Sequence, residues 1–141
     1  MSFSNYCAQA LLNSLFSKTS NFGALGTVPT IYVGLSTTTP AEDGTNVTEP
    51  SGGSYARVTT AGTDWTTASL ADPSALDNAN AITFPTATAD WVAAANLTHV
   101  VLYDASSAGN MLAAGALTVP KPVLNGDTAE FAVGALDVTL D

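Results

Sequence analysis

Basic residues are nearly missing from this chain. Lys18, Arg57 and Lys121 are the whole set, against 12 Asp and Glu, and the net charge is −9. Three cations cannot neutralise enough phosphates to drive counterion release, so nucleic-acid binding is excluded as a function class. The same imbalance argues against an anionic membrane surface. Cysteine is almost absent too. Cys7 stands alone, which excludes an intramolecular disulfide and a cysteine-based metal cluster. No apolar run approaches the roughly 20 residues of a membrane-spanning helix. The N-terminus lacks a basic stretch followed by an apolar one, so no signal peptide is read there. The expectation is a soluble protein made in a cytoplasm.

Charge of either sign is scarce, at 11% of residues, against the usual quarter or so. Thr, Ser, Asn, Gly and Ala must therefore cover the surface, and such a surface is easily desolvated by a neighbouring subunit. Apolar residues reach 46%, too many for a disordered tail. A chain of 141 residues fits one domain, and burying roughly 65–70% of its unfolded surface supplies a core without staples.

One helix is predicted, over residues 3–18. Tyr6, Ala10, Leu11, Leu12, Leu15 and Phe16 recur at helical spacing. Ser2 or Ser4 can cap its start, Lys18 suits its C-terminal dipole, and Asn21 and Gly23 are stop signals. Its apolar stripe packs either on its own domain or on a partner. Strands are read at Pro29–Ser36, Ser54–Thr60, Ala81–Phe84, Leu97–Tyr103, Met111–Val119, Thr128–Val133 and Leu136–Leu140. Turn signals separate them, notably Ser107-Ala108-Gly109-Asn110 and Asn125-Gly126-Asp127. Residues 37–53 form a long exposed loop of the kind that is usually functional or mobile. Asp72–Asn80 reads as loop, and Ala89–Ala95 as a helical turn or bend around Trp91. The pattern predicts an all-β, jelly-roll-like antiparallel β-sandwich with one N-terminal α-helix, in a single domain over 1–141: the helix in 1–20, the sandwich in 29–141.

Catalytic constellations are poorly supplied. His99 is the only histidine and sits in a strand-like run, with Asp104 five residues on and no G-x-S-x-G elbow anywhere. Cys7 lies inside the helix pattern with no neighbouring cation to make it a thiolate, and is read as a buried structural thiol. A glycosidase needs two carboxyls roughly 5–10 Å apart in a sugar cleft. Most acids here, Glu42, Asp43, Glu49, Asp72, Asp77 and Asp127, fall in turns, where they bond their own backbone or water. The best metal option is a calcium site at Glu42–Asn46 with Glu49, but it lacks EF-hand spacing. No Walker A or G-x-G-x-x-G sequence is present. The expectation is no catalytic residues, no metal and no cofactor. The scattered aromatics, Tyr32, Tyr55, Phe84, Trp91, Tyr103 and Phe131, read as core, with one or two as interface anchors.

The runs IYVGLSTTTP (31–40), EPSGGSYARV (49–58), NAITFPTATADW (80–91), THVVLYDASSAGNML (98–112) and NGDTAEFAVGALDVTLD (125–141) resemble a family of small virion structural proteins of tailed bacteriophages. The nearest resemblance is to capsid cement (decoration) proteins of short-tailed phages, and other members carry a tail-fibre label. The resemblance covers nearly the whole chain. It implies a jelly-roll-like domain on the outer capsid surface of the virion, clamping neighbouring copies of the major capsid protein and pairing with itself as a homodimer or homotrimer. It carries over no catalytic residue. The alternatives are a tail or tail-fibre component and, more remotely, a small carbohydrate-active enzyme. Interface residues are expected in the loop (Thr38, Thr39, Glu42, Asp43, Glu49), on the helix (Leu12, Phe16) and on the terminal strand (Leu136, Val138, Leu140), whose edge suits β-augmentation.

Overall fold

The computed structural model describes residues 4–17, 29–93 and 95–140, and for Asn5 and Cys7 the backbone alone. Ser2, Lys18, Asn21, Gly23 and Asp141, the Cys7 thiol and the ends of the 3–18 helix lie outside the described residues. Helix α1 spans Asn5–Leu15. The strands are β1 (Ile31–Ser36), β2 (Val58–Thr60), β3 (Ser74–Asp77), β4 (Ile82–Thr83), β5 (Leu97–Tyr103), β6 (Met111–Lys121), β7 (Glu130–Phe131) and β8 (Asp137–Leu140). They form a four-stranded sheet in the order β2-β1-β5-β6 and two ribbons, β3-β8 and β4-β7. Antiparallel sheet with one helix agrees with the all-β, sandwich-like class expected. Contacts cluster into two compact units. The first takes the described residues within Met1–Thr30, Thr60–Ile82 and Phe131–Asp141, and the second takes Ile31–Thr59 and Thr83–Glu130.

In the first unit, α1 packs on β3 and β8. The four-residue spacing of Ala8, Leu12 and Phe16 explains why: all three are buried on one face. Phe16 meets Trp65 edge-on at 4.6 Å between centroids. Trp65 is 1% exposed, and its indole N–H is satisfied by Thr60 Oγ1 at 3.0 Å. Two helix side chains secure the segment beside it. Gln9 donates to the Ala68 carbonyl at 2.9 Å, and Asn13 Oδ1 accepts the Ala68 N–H at 2.8 Å. Asn78 is wholly enclosed and uses its whole amide. Its Nδ2 donates to the carbonyls of Asn80 (2.9 Å) and Ala132 (2.8 Å), while its Oδ1 accepts the Leu136 N–H at 2.8 Å. That one side chain fixes the approach to β8.

β3 was not legible in the sequence. Pro73 and Asp77 flank a run with only Ala75 and Leu76 as apolar residues, so Asp72–Asn80 reads as loop. Burial alternates along it, with Ser74 and Leu76 inside, and pairing with β8 supplies the order that propensity does not. The expected strand 54–60 contracts to β2, because Gly52 and Gly53 turn the chain with positive φ and the Tyr55 N–H closes that turn on the Gly52 carbonyl. Likewise 128–133 contracts to β7, since Ala132–Ala135 is a turn with Gly134 at φ 72°.

The second unit holds the four-stranded sheet. β1 pairs with β5 from Tyr32↔Tyr103 to Ser36↔His99, and β5 pairs with β6 from Val101↔Ala114 outward, with bulges near each end. β1 is buried on nearly both faces, more than simple alternation anticipates. Tyr55, Phe84 and Trp91 form an aromatic cluster, with Tyr55 and Trp91 edge-on at 5.1 Å. Gly53 lets the backbone pass close to it: its carbonyl accepts the Trp91 indole N–H at 2.9 Å, and a Cβ there would sit 2.7 Å from the Ala89 carbonyl oxygen.

Candidate functional site

Low charge makes each ionised group in this chain worth tracing, and Arg57 leads to the densest cluster. Its guanidinium lies in the second unit among Glu49 from the 37–53 loop, Tyr103 at the end of β5, and the 104–110 loop. Nη2 meets Glu49 Oε2 at 2.5 Å, with side-chain exposures of 7% for Arg57 and 21% for Glu49. Nε donates to both carboxylate oxygens at 3.0 and 3.1 Å. Nη1 donates to the carbonyls of Ala105 and Ala108, both at 2.8 Å. The plane of the group stacks on Tyr103, with Cζ 3.3 Å from the ring centroid. The fork of Arg suits this bidentate and stacked arrangement, which Lys cannot reproduce. Burial opposes the charge on Arg57, but hydrogen bonding and attraction to Glu49 hold its pKa above the ordinary value.

Tyr55 completes the cluster. Its hydroxyl donates to Glu49 Oε1 at 2.7 Å and accepts the Leu35 N–H at 2.9 Å. Burial drives the Tyr55 hydroxyl far above its usual pKa, with the Glu49 charge adding to it. Burial also raises Tyr103, again helped by Glu49. Both phenols are therefore neutral at physiological pH. Gly34 makes room for the carboxylate: a Cβ there would lie 2.7 Å from Glu49 Oε1 and 3.2 Å from the Tyr55 hydroxyl. Gly34→Ala should push Glu49 off Arg57 and cost roughly 1–3 kcal/mol, as overpacking does. A thermal melt of the two proteins reads this directly.

The 104–110 loop is closed at its neck as well. Asp104 Oδ1 accepts the Asn110 N–H at 2.7 Å, and Oδ2 accepts Asn110 Nδ2 at 2.8 Å. Ala108 and Gly109 turn with positive φ, as the Ser-Ala-Gly-Asn signal predicted. The Asn110 hydrogen bonds hold the Asp104 carboxyl below the usual carboxylate range. A lowered folded pKa stabilises above the unfolded value, about 3.9, and the contribution is lost as pH falls through the folded pKa. Carboxyl NMR should show Asp104 titrating below an ordinary Asp, and Asn110→Ala should bring it only part of the way back, since the backbone N–H of residue 110 still donates to it.

The expected interface residues are dispersed. Thr38 Oγ1 donates to the Asn46 carbonyl at 2.6 Å, and Asn46 Nδ2 donates back to the Thr39 carbonyl at 2.7 Å. Thr37 N–H to Thr48 and Ala41 N–H to Thr45 knit the same loop, so residues 37–53 are ordered by their own bonds. Asp43 Oδ1 takes the Thr45 N–H and hydroxyl, which lowers its pKa. Glu42 is exposed. Glu49 is turned inward to Arg57, which removes it from the calcium option. Among the described residues, no group of three or more His, Cys, Asp or Glu gathers as a metal would need. Leu12 and Phe16 are buried in the first unit, Leu136 is buried, and Val138 and Leu140 are half-buried on β8, paired with β3. His99 Nδ1 shares a hydrogen bond with Thr98 Oγ1 at 2.8 Å, while Asp104 is occupied by Asn110.

These features define a β-rich protein in which scarce charges brace loops against a sheet. Residues 2–139 match the family model described as podophage GP4 fiber I protein gp80. The chain belongs to that family, and its role is that of a phage structural protein carried in the virion. No curated protein matches it. The finer likeness to capsid cement proteins has no counterpart in the family match, which is to a fibre protein.

Proposed function

We propose that the chain is a non-enzymatic component of the tail fibre, held on the virion by other tail proteins and by further copies of itself. The carrying observation is the match of residues 2–139 to a fibre protein family. The arrangement of ionised groups supports a non-catalytic role. Glu49, Arg57 and Asp104 satisfy one another or the backbone, and His99 bonds to its neighbour. Capsid cementing is the competing placement, through the major capsid protein. Cryo-EM of virions separates the two: density for this chain on tail appendages is expected, and density over capsid subunits overturns the fibre reading.

A further inference from the structure

Asn125 is the only Asn in the chain that precedes a glycine. In an unfolded chain that dipeptide deamidates faster than any other Asn pair, because glycine has no side chain to hinder its backbone nitrogen. The Gly126 nitrogen gives its proton to hydroxide and bonds to the Asn125 side-chain carbonyl carbon. The carbon–nitrogen bond of the side-chain amide breaks, and ammonia leaves with a proton from water. Water then opens the cyclic imide on either side of its nitrogen, giving Asp or isoAsp, and nothing is oxidised or reduced. The turn itself calls for the glycine: Gly126 sits at φ 89°, where an L side chain is strained.

The fold engages the nitrogen that this reaction needs. Gly126 N–H donates to the Ala87 carbonyl at 2.8 Å. Its neighbours are held too: Leu124 N–H by Asp127 Oδ2 at 3.0 Å, Asn125 N–H by Asp90 Oδ1 at 2.9 Å, and Asp127 N–H by the Leu124 carbonyl at 2.9 Å. Every backbone N–H from Leu124 to Asp127 is therefore bound, and the buried Trp91 anchors the start of the turn by donating its N–H to the Val123 carbonyl at 3.0 Å. Asn125 itself is exposed, so water reaches its amide and the bound nitrogen is what limits the chemistry. We propose that Asn125 is a deamidation site held shut by this clamp, and that opening of the 123–127 turn converts it one way. IsoAsp carries the main chain through one extra atom, so the four N–H groups no longer all reach their partners. Either product also adds a carboxylate to a turn that those of Asp90 and Asp127 already hold. The one Asp-Gly pair, Asp43-Gly44, can close the same ring, and its glycine N–H is bound as well, to the Ala41 carbonyl at 2.9 Å. None of this depends on whether the protein sits in a fibre or on the capsid.

The test is peptide mapping by mass spectrometry on the full chain, incubated in mildly alkaline buffer either folded or held unfolded in urea. The unfolded chain should convert at Asn125 ahead of every other Asn. The folded chain should convert there roughly 10-fold more slowly or less, because opening must break the Gly126 bond together with its neighbours. Asp90→Ala removes the acceptor of the Asn125 N–H, and should raise the folded rate several-fold while leaving the rate in urea unchanged. Asp127→Ala, which frees the Leu124 N–H, should act in the same direction. Equal rates at Asn125 in the folded and unfolded natural protein overturn the proposal, and so do folded rates that neither variant moves. Material converted in urea and then refolded should lose hydrogen-exchange protection at the Gly126 amide, and full recovery of that protection would overturn the one-way step.

Discussion

Replacing Arg57 by Met should lower the melting temperature by roughly 10 °C or more. The substitution keeps the aliphatic stem but removes an ion pair, two hydrogen bonds to loop carbonyls and the stack on Tyr103. It leaves Glu49 largely enclosed with Tyr55 as its remaining described partner. Breaking one side of a buried pair costs about 3–5 kcal/mol, and ~1 kcal/mol moves a domain of this size by about 3–4 °C. Arg57→Met combined with Glu49→Leu should recover part of the loss, because the stranded carboxylate goes with its partner. Arg57→Lys should recover little, since one ammonium cannot reach the carboxylate and both carbonyls together. Differential scanning calorimetry of the single and double variants checks all three. If Arg57→Met melts within 2–3 °C of the natural protein, the cluster is not a brace.

Asn78→Leu should also be costly, at about 2–4 kcal/mol. Leu fills a similar volume but strands the buried N–H of Leu136, and it takes the donors from the carbonyls of Asn80 and Ala132, which belong to exposed residues. Each buried group left unmatched costs about 1–3 kcal/mol. Asn78→Asp should damage the same place differently, since it keeps the acceptor for Leu136 and loses both donors. Hydrogen exchange gives the local reading: the Leu136 amide should lose protection in Asn78→Leu and keep more of it in Asn78→Asp.

Both residues show what a linear sequence conveys and what it hides. Strands β1, β5, β6 and β8 were legible because Ile31, Val33 and Leu35 alternate along the pleat, Leu97–Tyr103 is a run rich in apolar residues, and Gly109 and Gly126 mark real turns. β3 was hidden because its order comes from β8, some 60 positions away. Glu49 was singled out, but as a loop acid facing a partner. Its inward turn depends on Gly34 leaving space and on the turn at Gly52 and Gly53, neither of which an acid count conveys. A signal was available: Arg57 is the only Arg in a chain with few charges, set among apolar residues, and a cation there needs an acid within reach. The Asn78 network had no signal at all, because an Asn between Asp77 and Ala79 looks like any loop residue.

The first unit gathers segments from the beginning, middle and end of the chain, whereas the second is complete by Glu130. During synthesis β3 emerges long before its partner. A ribosome that has reached Glu130 has delivered the whole four-stranded sheet, yet Ser74–Asp77 has no strand to pair with, and Asn78 lacks the Ala132 and Leu136 groups it binds. Only the segment after Glu130 supplies them. The first unit therefore waits on that segment, so copies cut short before it would carry the four-stranded sheet but an unclosed helix-bearing half.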